Sequence, residues 1–204
     1  MPILSKAAAQ ERKERIVDLA ERLFVQDGYE NTTVDDIVQK LGLAKGTYYY
    51  HFNSKEALMI AVSEKLILNT TRKLIDVARQ KDQDIVWRIR TVLKTYQEDF
   101  YRNKAIWRQV YHWRNAALYS CVAHISAKRF NPILEELLSE ANSTGAIAVP
   151  HPREAAESLL VLFEMTSRQL CGKADRARKS RLYNSLRYAL RQLLSAECIP
   201  PFTQ

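Results

Sequence analysis

The sequence predicts an all-α fold, in which a small N-terminal three-helix module precedes a larger helical domain. Only five of the 204 residues are glycine and six are proline, so few positions interrupt a helix. Apolar residues recur at three- and four-residue steps through most of the chain, and no segment shows the two-residue alternation of a strand. We place the two predicted domains at 1–53 and 54–204.

The N-terminal module is predicted to hold three helices separated by short turns. The first runs over about 5–26, where apolar side chains repeat on one face between charged ones. Thr33 is the expected N-cap of the second helix, and Asp36 three residues later approximates a capping box. Gly42 ends the second helix, and a third short helix follows over about 44–51. Two short helices joined by a glycine turn are typical of a helix-turn-helix.

The larger domain begins with a long helix that Ser54 caps and that continues toward Ala78. Pro150 and Pro152 exclude helix from the clearest loop of this domain. The other helices are predicted over about 84–102, 105–118, 121–142, 153–171 and 176–197.

The third helix is the expected DNA-reading element of the helix-turn-helix. If Tyr48 and Phe52 face the core, the opposite side of the helix carries Gly46, Thr47 and Tyr50. Gly46 would allow close approach to DNA, because it has no side chain to clash. Thr47 and Tyr50 offer hydroxyl, methyl and ring groups to base edges.

Phosphate contacts are expected around this reading face. Tyr49 and His51 flank it, Lys45 lies in its first turn, Lys55 begins the next helix, and the amides near Thr33 offer a helix N-terminus. The net charge of the chain is +8, but residues 1–65 hold nine basic and ten acidic residues. The case for DNA binding therefore depends on the motif and not on bulk charge.

The run TTVDDIVQKLGLAKGTYYYHFNSKEAL, preceded by IVDLAERLFVQDGYEN, resembles the tetracycline-repressor (TetR) family over about 16–60. A departure is Tyr48, where members of that family usually carry leucine or isoleucine. The resemblance implies DNA contacts at the residues that match the family pattern, which are Thr33, Lys45, Gly46, Thr47, Tyr49, Tyr50, His51 and Lys55.

The resemblance to the TetR family also implies a homodimer and a pocket for an unknown small-molecule effector. The last two predicted helices would form the dimer interface, and their wide leucine stripes independently favour a second buried face. The effector pocket would lie among helices five to seven. Its expected lining is drawn from Tyr96, Phe100, Trp107, Tyr111 and Arg114.

The function expected from these features is ligand-released repression at operator DNA. An alternative is a DNA-binding adaptor whose helical domain binds a protein partner. An enzyme is disfavoured, because the sequence shows no nucleophile with a base, no phosphate loop and no metal cluster. We expect no cofactor, no bound metal and no membrane span, and we expect a cytoplasmic protein.

Two further features bear on partners. The three cysteines are widely spaced, which disfavours a disulfide framework. The segment from Lys173 to Arg191 carries seven cations and one anion. A solvated helix face is the favoured interpretation of this segment, and an anionic partner is the alternative.

Overall fold

The computed structural model describes residues 6–112, 116–171 and 175–194. Within these ranges the chain forms helices only, which confirms the all-α prediction. They are α1 (Lys6–Gln26), α2 (Val34–Leu41), α3 (Lys45–His51), α4 (Lys55–Ala78), α5 (Ile85–Arg102), α6 (Lys104–Val110), α7 (Ala116–Ser143), α8 (Pro152–Cys171) and α9 (Arg176–Leu194).

Local capping determines the ends of α2. The backbone N–H of Asp36 donates to Thr33 Oγ1 at 3.1 Å, and the N–H of Thr33 donates to Asp36 Oδ2 at 2.8 Å. This reciprocal pair is the predicted capping box, and it satisfies two backbone donors that the first turn leaves without a helical partner. Gly42 ends the helix in the left-handed conformation, with φ of 64°.

The core of the N-terminal module is built around aromatic side chains. Tyr48 is fully buried and Phe52 is 4% exposed, which confirms the predicted rotation of α3. Tyr48 keeps its hydroxyl bonded, because it donates to the carbonyl oxygen of Ser54 at 3.2 Å. A tyrosine can therefore occupy this position in place of a smaller apolar residue, because its buried phenol hydroxyl has a hydrogen-bond partner.

Helix α4 belongs to both parts of the molecule. Leu58 and Met59 in its first turns are fully buried, and Leu74 near its end is 1% exposed in the same continuous core. Lys65 also ties α4 to α1, because its ammonium lies 2.6 Å from Asp18 Oδ1 and 2.7 Å from Glu21 Oε2. Any shift of α4 is therefore transmitted to the N-terminal module.

The larger domain packs α5 to α9 around α4 and α7. A single helix over 105–118 was expected here, and this prediction is wrong. Helix α6 ends at Val110, where Tyr111 donates its N–H to the carbonyl of Trp107 at 2.9 Å and His112 donates to Gln109 at 3.3 Å. The tightened last turn ends the helix without a glycine or a proline, so the sequence carried no signal for it.

An ion pair between a buried arginine and a partly exposed glutamate joins α5 to α7. Arg88 is 3% exposed, and both its terminal nitrogens donate to the Glu140 carboxylate. Arg88 Nη1 also donates to the carbonyl of Ala78 at 3.0 Å, and Lys81 Nζ lies 2.5 Å from Glu140 Oε2. The pair therefore tethers the end of α4 to two other helices.

Candidate DNA-binding surface and interior cavity

Three consecutive tyrosines of α3 have three different environments. Tyr48 is fully buried, whereas Tyr49 is 49% and Tyr50 is 75% exposed. Leaving a side chain of that size in water costs free energy, so an exposed aromatic group often marks a surface that binds a partner. The outward face of α3 is thus led by Tyr50, as the sequence predicted.

Gly46 lies on the same outward face of α3. A Cβ built there would meet no atom within 4 Å, so nothing in the fold itself excludes a side chain at this position. Thr47 beside it is half-buried. The absence of a side chain leaves open space at the helix start, where a partner can approach the backbone.

Lys45 is held by a neighbour on α2. Its ammonium lies 2.7 Å from Asp35 Oδ1, and both side chains are more than half exposed. The hydrogen bond to Asp35 raises the pKa of Lys45 above its ordinary value. Exposed ion pairs of this kind are weak, so a phosphate can displace the carboxylate at little cost.

His51 lies half-buried at the end of α3, against Tyr50. The two ring centroids are 4.9 Å apart with an interplanar angle of 83°. His51 Nε2 is buried and has no hydrogen-bond partner among the residues that the structure describes. Burial is the largest cause that lowers the pKa of His51, and the charges of Lys13 and Arg12 on α1 lower it further.

The proximity of Arg12 and Lys13 to α3 could not be read from the sequence. Lys13 Nζ lies 5.7 Å from the centroid of the Phe52 ring, which places a cation of α1 beside the end of the reading helix. The helical pattern of α1 marks both residues only as polar. Their position beside α3 depends on how α1 crosses the other two helices.

Lys55 points to the loop that joins α1 to α2. Its ammonium donates to the carbonyl oxygens of Tyr29 at 2.8 Å, Thr32 at 3.0 Å and Glu30 at 3.4 Å. It also lies 4.5 Å from the centroid of the Tyr29 ring. All three donors of an ammonium are therefore used within the protein. We assign Lys55 to the loop geometry, and its expected phosphate contact stays a prediction.

Thr33 is exposed beside this loop and uses its hydroxyl within the capping box, where it donates to Asp36 Oδ2 at 2.6 Å. The first amides of α2 remain directed out of the helix, as at any helix start. The structure therefore gathers Thr33, Lys45, Gly46, Tyr49 and Tyr50 on the surface. The other three residues expected to contact DNA, which are Thr47, His51 and Lys55, are partly buried.

A cavity lies in the larger domain between α4, α5, α6 and α7. Four of the five residues expected at an effector pocket line it, namely Tyr96, Phe100, Trp107 and Tyr111. The fifth, Arg114, lies outside the described residues. The sequence did not indicate the remaining lining, which is Ile67, Thr70, Ser126 and Phe130.

The cavity is largely filled by its own aromatic side chains. The Phe100 ring stacks on Trp107 and on Tyr111, with both centroid distances at 5.8 Å and interplanar angles of 15° and 22°. The space that remains is about 20 Å³, enough for a single water molecule. An organic ligand therefore enters only if the surrounding helices move apart.

Helices α8 and α9 leave apolar side chains uncovered. Val161 and Met165 of α8 are 59% and 46% exposed, and Tyr188 of α9 is 66% exposed. Their neighbours on the opposite faces, such as Leu159 and Leu190, are fully buried. Each of the two helices thus has one apolar face in the core and further apolar side chains at the surface.

The described residues contain no group of three or more side chains suited to a metal ion. In the same residues, no helix has both the length and the apolarity needed to cross a bilayer.

The N-terminal module and the larger domain together define a helix-turn-helix protein of all-α fold. Residues 16–62 match the family model described as bacterial regulatory proteins, tetR family. The chain is similar to the transcriptional regulator TtgR of Pseudomonas putida, with 39% identity over 62 residues. The match spans 30% of each of these two chains, and it lies within the N-terminal part.

Solved structures extend the likeness to the whole fold. A TetR-family transcriptional regulator from Pectobacterium atrosepticum superposes with a TM-score of 0.78 at 21% identity, over 94% of this chain and 98% of that one. The TetR-family repressor FadR of Thermus thermophilus, in complex with lauroyl-CoA, gives a TM-score of 0.70 at 19% identity. That match covers 94% of this chain and all of FadR.

Proposed function

We propose that this chain is a homodimeric transcriptional repressor that a small-molecule effector releases from operator DNA. The observation that carries the proposal is the position of α4. It contributes Ile67 and Thr70 to the wall of the cavity, and its first turns pack in the core of the N-terminal module. The match of residues 16–62 to the tetR family model and the likeness of the fold to ligand-bound FadR support the same function.

Binding to DNA would place the start of α3 in the major groove. Gly46 lets the backbone approach, and Thr47 and Tyr50 meet base edges, which carry sequence information. Around them, Tyr49 and Lys45 would contact phosphates, which position the protein without reading sequence. Arg12 and Lys13 of α1 would add two positive charges beside these phosphate-contacting residues.

Dimerisation would pair α8 and α9 with the same helices of a second copy. The exposed Val161, Met165 and Tyr188 supply apolar surface for such a face. A two-fold axis there presents two copies of α3 to half-sites about one DNA turn apart, or about 34 Å.

Release would follow from filling the cavity. Ligand pockets generally measure about 300–1,000 Å³, far above the space that the closed cavity offers. A ligand therefore binds only a state in which α4 and its neighbours have separated. Because α4 carries the N-terminal module, that state changes the distance between the two reading helices of the dimer. The free energy that couples ligand binding to DNA release is set by how much more tightly the ligand binds the open state than the closed state.

Operator selection from random DNA tests the proposal. We expect a sequence with two inverted half-sites, and footprints on both of them. The selected DNA then allows a screen for small molecules that raise the melting temperature and release the DNA. Failure to select any sequence would contradict the proposal. Selection of DNA with release only by a protein partner would favour the adaptor instead.

A further inference from the structure

A surface groove separates α1 from α4 and α7, outside the aromatic cavity. The groove holds about 500 Å³, whereas the aromatic cavity holds about 20 Å³. Pockets for organic ligands generally measure about 300–1,000 Å³, so the groove admits such a molecule without movement of the helices. One wall is α1 of the N-terminal module, and the other walls are α4 and α7 of the larger domain.

The middle of the groove is apolar. Val17 of α1 and Ile67 of α4 are buried there, and Leu68 and Ile125 line the space beside them. Leu68 is 36% exposed, so part of its side chain remains in contact with water. An apolar group that enters the groove covers this surface, and removing apolar surface from water favours binding.

Helices α4 and α7 run in the same direction along the groove. Ile67 of α4 and Ser126 of α7 line the aromatic cavity together. About two turns later on each helix, Leu74 and Leu134 line a second apolar space together. Residues that follow the middle of the groove on α4 and on α7 therefore lie at the same end of it.

Two arginines occupy that end of the groove. Arg72 follows Leu68 by one turn of α4, Arg129 follows Ile125 by one turn of α7, and all four line the groove. Both arginines are exposed and, among the residues that the structure describes, neither guanidinium forms an ion pair or a hydrogen bond. A single anion between them would offset their mutual repulsion and accept strong, charge-assisted hydrogen bonds from both.

The charges that α4 and α7 contribute to the groove are separated by sign. The lining carboxylate of α4 is Glu64, which lies one turn before Leu68, whereas Arg72 lies one turn after it. Asp18 on the α1 wall already accepts from Lys65 at 2.6 Å. The end that carries the arginines thus has no lining carboxylate from α4 or α7 among the described residues.

We propose that the groove binds an amphipathic anion, with its acidic group between Arg72 and Arg129 and its apolar body against Val17, Leu68 and Ile125. Such a ligand touches α1, α4 and α7 together, so it stabilises their present spacing. This is the spacing at which the aromatic cavity is largely filled by its own rings. The regulatory consequence rests on the proposed function: the anion acts as a co-repressor that favours the operator-binding state.

Ile67 connects the groove to the aromatic cavity, because it lines both spaces. An effector fits the aromatic cavity only after α4 separates from its neighbours, and a ligand packed in the groove resists that displacement. The two ligands therefore oppose each other. Each weakens the binding of the other by the same factor, as linkage requires.

The test of the site compares 8-anilinonaphthalene-1-sulfonate with N-phenyl-1-naphthylamine, which has the same rings and no sulfonate. Fluorescence titration of the whole chain should show the sulfonate binding at least about tenfold more tightly. Arg72→Gln combined with Arg129→Gln should remove most of this difference by weakening the sulfonate alone. Arg79→Gln combined with Lys128→Gln is the control, because it removes the same charge from exposed positions that do not line the groove. It should keep the difference.

Operator binding tests the regulatory consequence. Fluorescence anisotropy with selected operator DNA should show affinity raised about fivefold or more by saturating sulfonate, and no such increase in the arginine double variant. Equal binding of the two compounds, or an unaltered sulfonate preference in that variant, would overturn the anion site. Unchanged or weaker operator affinity with the sulfonate bound would overturn the co-repressor role. Failure to select any operator would instead count against the repressor proposal, and the fluorescence titrations would still decide whether the anion site exists.

Discussion

Gln109 of α6 holds the backbone of Tyr29, 80 residues earlier in the chain. Its side-chain oxygen accepts the N–H of Tyr29, and its amide nitrogen donates to the carbonyl of Phe24 at 2.8 Å. Trp107 of the cavity wall lies two residues before Gln109 on the same short helix. The carbonyl of Tyr29 accepts from Lys55 at the start of α4. The cavity and the helix-turn-helix are therefore joined through Tyr29 as well as through α4.

Gln109→Leu should destabilise the protein by about 1–3 kcal/mol, because the Tyr29 N–H and the Phe24 carbonyl lose their partner in a half-buried position. Urea unfolding measures the loss. Hydrogen exchange at the Tyr29 amide should become faster, since its acceptor is gone. Gln26→Ala, at an exposed glutamine on the end of α1, is the control and should change neither property. An unchanged Tyr29 exchange rate would contradict the proposed link.

Lys55→Met should lower stability and weaken binding to every DNA sequence, because the α1–α2 loop loses the ammonium that gathers its three carbonyls. The dependence of affinity on salt separates this role from a phosphate contact. We expect the slope of log affinity against log salt to stay the same. A slope reduced by about 0.9 would show that Lys55 neutralises a phosphate. Lys128→Met, at an exposed lysine of α7, should alter neither stability nor slope.

Alanine substitutions at the three consecutive tyrosines should separate folding from recognition. Tyr48→Ala removes a fully buried ring and should cost about 3–5 kcal/mol in unfolding free energy. Tyr50→Ala changes a side chain that is 75% exposed, so stability should change by less than about 0.5 kcal/mol. Its operator discrimination should nevertheless be lost, as should that of Thr47→Ala. Retention of sequence preference by both variants in footprinting would exclude the proposed docking of α3.

Acid should weaken the tether between α5 and α7. Hydrogen bonds from Arg88 and Lys81 lower the pKa of Glu140 from 4.5 to about 2, so the folded state binds this proton less readily than the unfolded chain. The stabilisation is complete above pH 4.5, and it is lost as the pH falls toward 2. Glu140→Gln should cost about 3 kcal/mol at pH 7, because Arg88 remains buried without its counter-ion.

The same variant should also lose most of the pH dependence between pH 4.5 and 2, which unfolding in urea at several pH values measures. The control is Glu136→Gln, an exposed glutamate one turn earlier on α7. It should keep both the stability and the pH profile of the unaltered protein. A normal acid profile in Glu140→Gln would show that other carboxylates carry this dependence.

The N-terminal module was predictable because its signals are local. Thr33 and Asp36 are one turn apart and cap α2 directly, and Gly42 supplies the left-handed residue that ends it. The rotation of α3 follows from the four-residue spacing of Tyr48 and Phe52. The break after α6 was missed, because a tightened turn ends that helix without a residue type that marks it.

The sequence by itself determined the helical periodicity, the caps of the short helices and the outward position of Tyr50. The resemblance to the TetR family indicated four of the aromatic residues that line the cavity, Tyr96, Phe100, Trp107 and Tyr111. The tertiary structure decided which distant groups meet. Gln109 reaches Tyr29, Lys55 donates to the loop carbonyls, and Lys13 lies beside α3. Helical periodicity tells which face of a helix is apolar, but contacts between polar atoms depend on the angles at which the helices cross.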